Sequence, residues 1–89
     1  VKIKNYMERI VVEKLDELLQ GRTDICACEQ CRTEMVTYAL NHLPPRYVSS
    51  HRGEVFTKLD DMNTQNIADV SKVLVKAIEV VSTNPRHSM

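Results

Sequence analysis

The sequence has no excess of charge of either sign: lysine and arginine together number 12, aspartate and glutamate 12. Proteins that grip nucleic acid through its phosphates need a broad basic field, so direct DNA binding is not expected. There is also no apolar run approaching the roughly 18 residues that span a bilayer. The N-terminal stretch VKIKNYMERIVVEKLDELLQ is charged throughout, unlike a secretory signal. No membrane partner is expected, and the cytoplasm is the expected location. Internal repeats and low-complexity tracts are missing, and cysteine is missing from all but one short segment, TDICACEQC, which holds Cys26, Cys28 and Cys31.

What remains is a chain of 89 residues, read as one domain over 1–89. A chain this short buries only about 60 to 65 per cent of its unfolded surface, and such domains commonly add a metal, a disulfide or a second subunit. Over residues 3–19, Ile3, Tyr6, Met7, Ile10, Val11, Leu15, Leu18 and Leu19 recur mostly every three or four positions, which predicts an amphipathic helix. Gly21 suits the left-handed position that closes it. A second helix over about 30–42 is marked by Met35, Val36, Ala39, Leu40 and Leu43, and Pro44 with Pro45 ends it. The segment from Arg46 to Met62 reads as short extended arms, Tyr47–Val48 and Val55–Phe56, around the polar SSHRG.

The last helix is expected to start near Asn63, with Met62 and Ile67 as a hydrophobic staple, and to run to about Thr83. Its stripe of Ile67, Val70, Leu74, Ala77, Ile78 and Val81 is widened by Val73 and Val80 beyond what a simple surface helix shows. Two companion helices offer little surface to cover so wide a stripe, so a homodimer is expected, with Val73 and Val80 at its interface. The alternative is that segment 46–62 covers this face within one protomer. The fold class is therefore mainly α: three main helices and a short irregular or extended segment over about 46–60, dimeric and zinc-stapled.

The staple follows from the cysteines. Closely spaced thiolates entering a helix suit zinc, because the first turn supplies unpaired amide hydrogens and a favourable dipole. Three other readings compete. A redox pair in CEQC would be expected beside a strand-helix-strand pattern that this chain lacks, and buried inert thiols sit poorly with neighbours such as Asp24, Glu29, Gln30 and Arg32. A structural disulfide is not expected in a cytoplasmic chain with an odd cysteine count. Zinc is the reading preferred here. Its fourth ligand would come from His42, His51 or His87, or from Asp24 or water; His87, in NPRH after the last helix, is the first choice. An enzyme is not expected, since zinc held by three thiolates is a weak Lewis acid and exposed helix glutamates such as Glu29 and Glu34 are ordinarily solvated.

CACEQCRTEMVTYALNHLPPRYVSS, followed by MNTQNIADVSKVLVKAIEVVSTNPRH, resembles the late competence protein ComFB family over most of the chain. Its recognisable pieces are the C-x-C-x-x-C cluster running into a helix, the ALNHLPPRYV that ends that helix, and Gln65 ahead of the last one. The resemblance implies a small, dimeric, mainly helical cytoplasmic protein that binds zinc through Cys26, Cys28 and Cys31 and stands near bacterial natural transformation, with no enzymatic activity attached. Some family members resemble receptors for cyclic dinucleotides. The leading expectation is a noncatalytic regulatory or protein-interaction module with an unidentified protein partner. The alternative is a receptor for cyclic di-GMP or cyclic di-AMP, using Arg32, Arg46, Arg52 and Lys58 for phosphates and Tyr47 or Phe56 for stacking.

Overall fold

The computed structural model describes residues 1–49 and 64–83, with side chains of the second stretch from residue 68 onward. In chain order the described elements are β1 (Lys4–Asn5), α1 (Met7–Leu19), α2 (Glu29–Asn41), β2 (Tyr47–Val48) and α3 (Thr64–Thr83). Among the described residues the expected mainly helical architecture is present, with three helices. The expected N-cap Asn63, the Met62–Ile67 staple and the arm Val55–Phe56 lie outside the described residues or side chains.

The three helices share one core. Along α1 the buried positions are Met7, Val11, Leu15 and Leu19, each four residues after the last, so one face turns inward. On α3 the buried positions are Val70, Leu74, Ala77, Ile78 and Val81. From α2 come Cys31, Met35 and Ala39, again at intervals of four. Helix α2 packs against both α1 and α3, which also touch each other. Leu15, Met35 and Leu74 are completely enclosed; burial of a side chain of this size stabilises by about 1.5–3 kcal/mol.

The first helix begins later than its periodicity predicts. Ile3 falls on the apolar stripe of the sequence, yet it is exposed, and Lys4–Asn5 instead forms an antiparallel pair with Tyr47–Val48. The cause is Asn5. Its side-chain oxygen accepts the backbone N–H of Met7, the first residue of α1, at 3.1 Å and that of Arg46 at 2.9 Å, tying the helix start to the strand pair. The Tyr6 N–H donates to the Arg46 carbonyl at 2.6 Å. Pro44 and Pro45 thus end α2 and send the chain back to the start of α1, where Val48 is buried.

At the other end of α1, Gly21 takes φ +77°, and the Arg22 N–H returns to the Leu19 carbonyl at 3.0 Å. This is the left-handed closure expected of a glycine just past a helix. It turns the chain toward the cysteines. The loop is short enough to set α1 and α2 side by side, and Arg32 on α2 forms an ion pair with Asp16 on α1, with Glu29 at 3.6 Å as a second partner.

Candidate metal centre

Cys28 is the N-cap of α2. Its backbone is extended, at φ −68° and ψ 165°, and its Sγ accepts the Cys31 N–H at 3.4 Å. A sulfur thereby takes the place of the usual oxygen cap on one of the amide hydrogens that a helix start leaves unpaired. Cys26 lies two residues upstream, and Cys31 sits inside the first turn. Their three sulfurs all lie within 4.8 Å of one another.

The thiols differ in surroundings. Cys26 and Cys28 are exposed, whereas Cys31 is 2% exposed and belongs to the core cluster with Met35 and Ala39. Reading the segment as a polar surface stretch is therefore corrected for Cys31. Its neighbours Gln30 and Arg32 are polar because they point elsewhere, while Cys31 shares the inward stripe of α2. The Cys31 N–H, then the Cys26 thiol, hold the Cys28 thiol down at about 7, from an ordinary value of 9.0. Burial, then hydrogen bonds with the Cys28 and Cys26 sulfurs, pushes Cys31 up to about 12. The Cys28 proton thus leaves readily and the Cys31 proton is resisted, a resistance that a bound cation would reverse.

The cluster fits a metal ion. In a tetrahedral site with Zn–S bonds of about 2.3 Å the sulfurs stand roughly 3.8 Å apart. The observed ceiling of 4.8 Å leaves about 1 Å to be closed, which side-chain rotation of the two exposed cysteines can supply. Three cysteines that lie this close can hold a metal ion, and soft thiolates select ions such as zinc or copper(I) over magnesium or calcium.

The remaining sequence candidates are distributed differently. His42 is at the opposite end of α2, about 16 Å from Cys31 along the helix, too far to complete the same site. It stacks on Tyr38 at 4.1 Å, and its Nδ1 lies 2.7 Å from the Tyr38 carbonyl. The carboxylate of Asp24 is held by Arg22 through contacts of 3.0 and 2.7 Å, which keep it below the usual carboxylate range. His51, His87, Lys58, Arg52 and Phe56 lie outside the described residues. Arg32 is drawn into the ion pair with Asp16; Arg46 is half-buried beside the strand pair; and Tyr47 is 67% exposed on β2 rather than packed on the core. Val73 is partly buried against the protomer's own core, and Val80 is exposed.

Two features escaped the sequence reading. One is Asp16 as the partner of Arg32, which lies across two helices and leaves no local signal. The other is the Tyr38–His42 stack, which lines an open groove of about 450 Å³ with Lys72 and Lys76 of α3. Its spacing of four on a predicted helix could have revealed the stack.

Fold and cluster together define a small, mainly helical protein with a three-thiol site able to hold a metal ion. Residues 4–85 match the family model of late competence development protein ComFB, and the chain belongs to that family. It is 26% identical to competence protein ComFB of Bacillus subtilis (strain 168) over 81 residues, covering 91% of this chain and 83% of that protein. A solved structure of the late competence protein ComFB from Bacillus subtilis has the same fold, with a TM-score of 0.79 at 24% identity. The match covers 96% of this chain and 93% of that one. Among the described residues, no helix is long and apolar enough to cross a membrane.

Proposed function

We propose that the chain works as a single noncatalytic domain, a zinc-clasped homodimer that regulates or recruits another protein in competence. The observation that carries this reading is the cluster of three sulfurs at the start of α2, with one of them built into the core. Three thiolates around zinc form a structural donor set, suited to holding a fold rather than activating water.

His87 is the proposed fourth ligand. Grooves place Val73 and Lys76 of α3 beside Leu43 and Pro44, and Val80 and Val81 beside Glu34 and Thr37. Helix α3 therefore runs antiparallel to α2, and its C-terminal end approaches the cysteine end. His87 lies four positions beyond Thr83, a reach of up to about 14 Å. The dimer reading rests on Val75 and Val80, which α3 leaves 56% and 38% exposed. Val73 contributes less to that surface than the sequence suggests, being partly covered within the protomer.

Metal analysis with the mass in solution tests the reading. The expected result is one zinc per chain and a mass of two chains, with His87→Ala weakening zinc retention; a metal-free, folded monomer would refute it. A second reading, a cyclic dinucleotide receptor, draws on the exposed Tyr47 ring next to Arg46. Calorimetry with cyclic di-GMP and cyclic di-AMP decides it, and an absence of heat at high micromolar ligand would rule it out.

A further inference from the structure

The same cluster has the geometry for a second chemistry. Cys28 and Cys31 are separated by two residues at the start of α2, and the Cys28 sulfur sits over the first turn, 3.4 Å from the Cys31 nitrogen. The first thiol is exposed and the second is buried. In a Cys-x-x-Cys pair at a helix start, such asymmetry divides the labour of thiol–disulfide exchange. The exposed sulfur meets the incoming disulfide, while the buried one is reached only from within the protein. The strand-helix-strand setting that usually announces such a pair is absent from the sequence pattern, but the local geometry does not depend on it.

We propose that Cys28 and Cys31 are a thiol–disulfide exchange site for a low-molecular-weight disulfide such as glutathione disulfide, and that their oxidation and metal binding exclude each other. The Cys28 thiolate attacks one sulfur of the small disulfide, forming a mixed disulfide and releasing one small thiolate. The Cys31 sulfur then attacks the Cys28 sulfur, closing the internal disulfide and releasing the second. Two protein thiols are oxidised, one small disulfide is reduced to two small thiols, and the two protein protons end on those thiols. Exclusion follows because a sulfur in a disulfide is no longer a thiolate ligand, which leaves Cys26 alone of the three. This second clause rests on the metal reading; the exchange itself does not.

The test uses Cys26→Ser, which removes the exposed thiol outside the proposed pair, and the double variant Cys26→Ser/Cys31→Ser. Both are freed of metal with a chelator, equilibrated across ratios of reduced and oxidised glutathione, quenched with acid and weighed intact. Cys26→Ser is expected to lose two hydrogens without gaining glutathione, and the double variant Cys26→Ser/Cys31→Ser to stall with glutathione attached at Cys28. Failure of Cys26→Ser to oxidise in the most oxidising mixture, or its accumulation as a glutathione adduct, overturns the exchange site. In a parallel arm on the unsubstituted protein, one equivalent of zinc should cut the oxidised fraction at least about tenfold at a fixed glutathione ratio, a shift of 1.4 kcal/mol or more. Equal oxidation in the presence of bound zinc overturns the exclusion. Zinc content, measured separately, shows whether the metal reading itself has failed.

Discussion

Replacing Cys31 with serine should destabilise the protein even when no metal is bound, whereas replacing Cys26 should not. Cys31 is enclosed among Met35, Ala39 and the facing residues of α1 and α3, so its substitution places a hydroxyl in an apolar core. A buried hydroxyl without a good partner costs about 1–3 kcal/mol. A chain of 89 residues has a total stability of roughly 4–13 kcal/mol, so this is a substantial share. It corresponds to a fall in melting temperature of about 4–8 °C for each kcal/mol. Cys26 is exposed, and its serine variant should stay within about 0.5 kcal/mol of the parent in chelator. When zinc is supplied at about 100 times its dissociation constant, the parent should gain roughly 2.7 kcal/mol, and both variants should forgo most of that gain. The assay is thermal or urea unfolding of all three proteins, with and without chelator, at one protein concentration. Equal stability of the two variants in chelator would refute the placement of Cys31 in the core, and a parent indifferent to zinc would refute the clasp.

Other consequences follow from single contacts. Gly21→Ala should cost about 1 kcal/mol in urea unfolding: its φ of +77° strains any side chain, although a methyl group there meets nothing within 4 Å. Arg32→Ala should cost only about 0.2–1 kcal/mol, since its ion pair with Asp16 is partly solvated, and the difference from the parent should shrink in about 1 M salt. Alkylation of Cys28 in metal-free protein should show a midpoint near pH 7, because its thiol is held at about 7. The sign is fixed by that direction: a lowered thiol favours the folded state above its ordinary value of 9.0, and that contribution is lost as pH falls through 7. Cys31, raised to about 12, acts oppositely, favouring the fold below 9.0 and losing that contribution as pH climbs toward 12. A Cys28 midpoint near 9 would contradict the sulfur cap.

The helices were legible because their burial is periodic. Val11, Leu15 and Leu19 on α1, and Val70, Leu74, Ala77, Ile78 and Val81 on α3, repeat at helical spacing and are the residues that pack. Gly21 and the paired prolines were legible as chemistry, because few residues take a positive φ and none before proline prefers a helix. The start of α1 was not legible. Its boundary depends on the register of Lys4 with Val48 and on the bond from Arg46 to Asn5, contacts between residues more than forty positions apart that no local window contains. The cysteine cluster was visible as a spacing, but its division into two exposed thiols and one core thiol was hidden by polar neighbours. Cys31, Met35 and Ala39 repeat every four residues, so the inward stripe of α2 extends one turn further toward its N-terminus than Met35 alone suggests.

That stripe explains why a clasp at this position would matter to the whole domain. Helix α2 has 13 residues, a length at which an isolated helix is marginal in water, so it depends on packing against α1 and α3. Its C-terminal end is stopped by prolines and secured by backbone bonds, through which Arg46 and Val48 return to the start of α1. Its N-terminal end is secured by sulfur, with Cys28 as the cap and Cys31 as the first core residue. The second fastening is the one whose atoms a metal or an oxidant can engage directly. A metal, or a disulfide between those two residues, would act on the cap and the core together, because the polypeptide has placed both functions within a single turn of one helix.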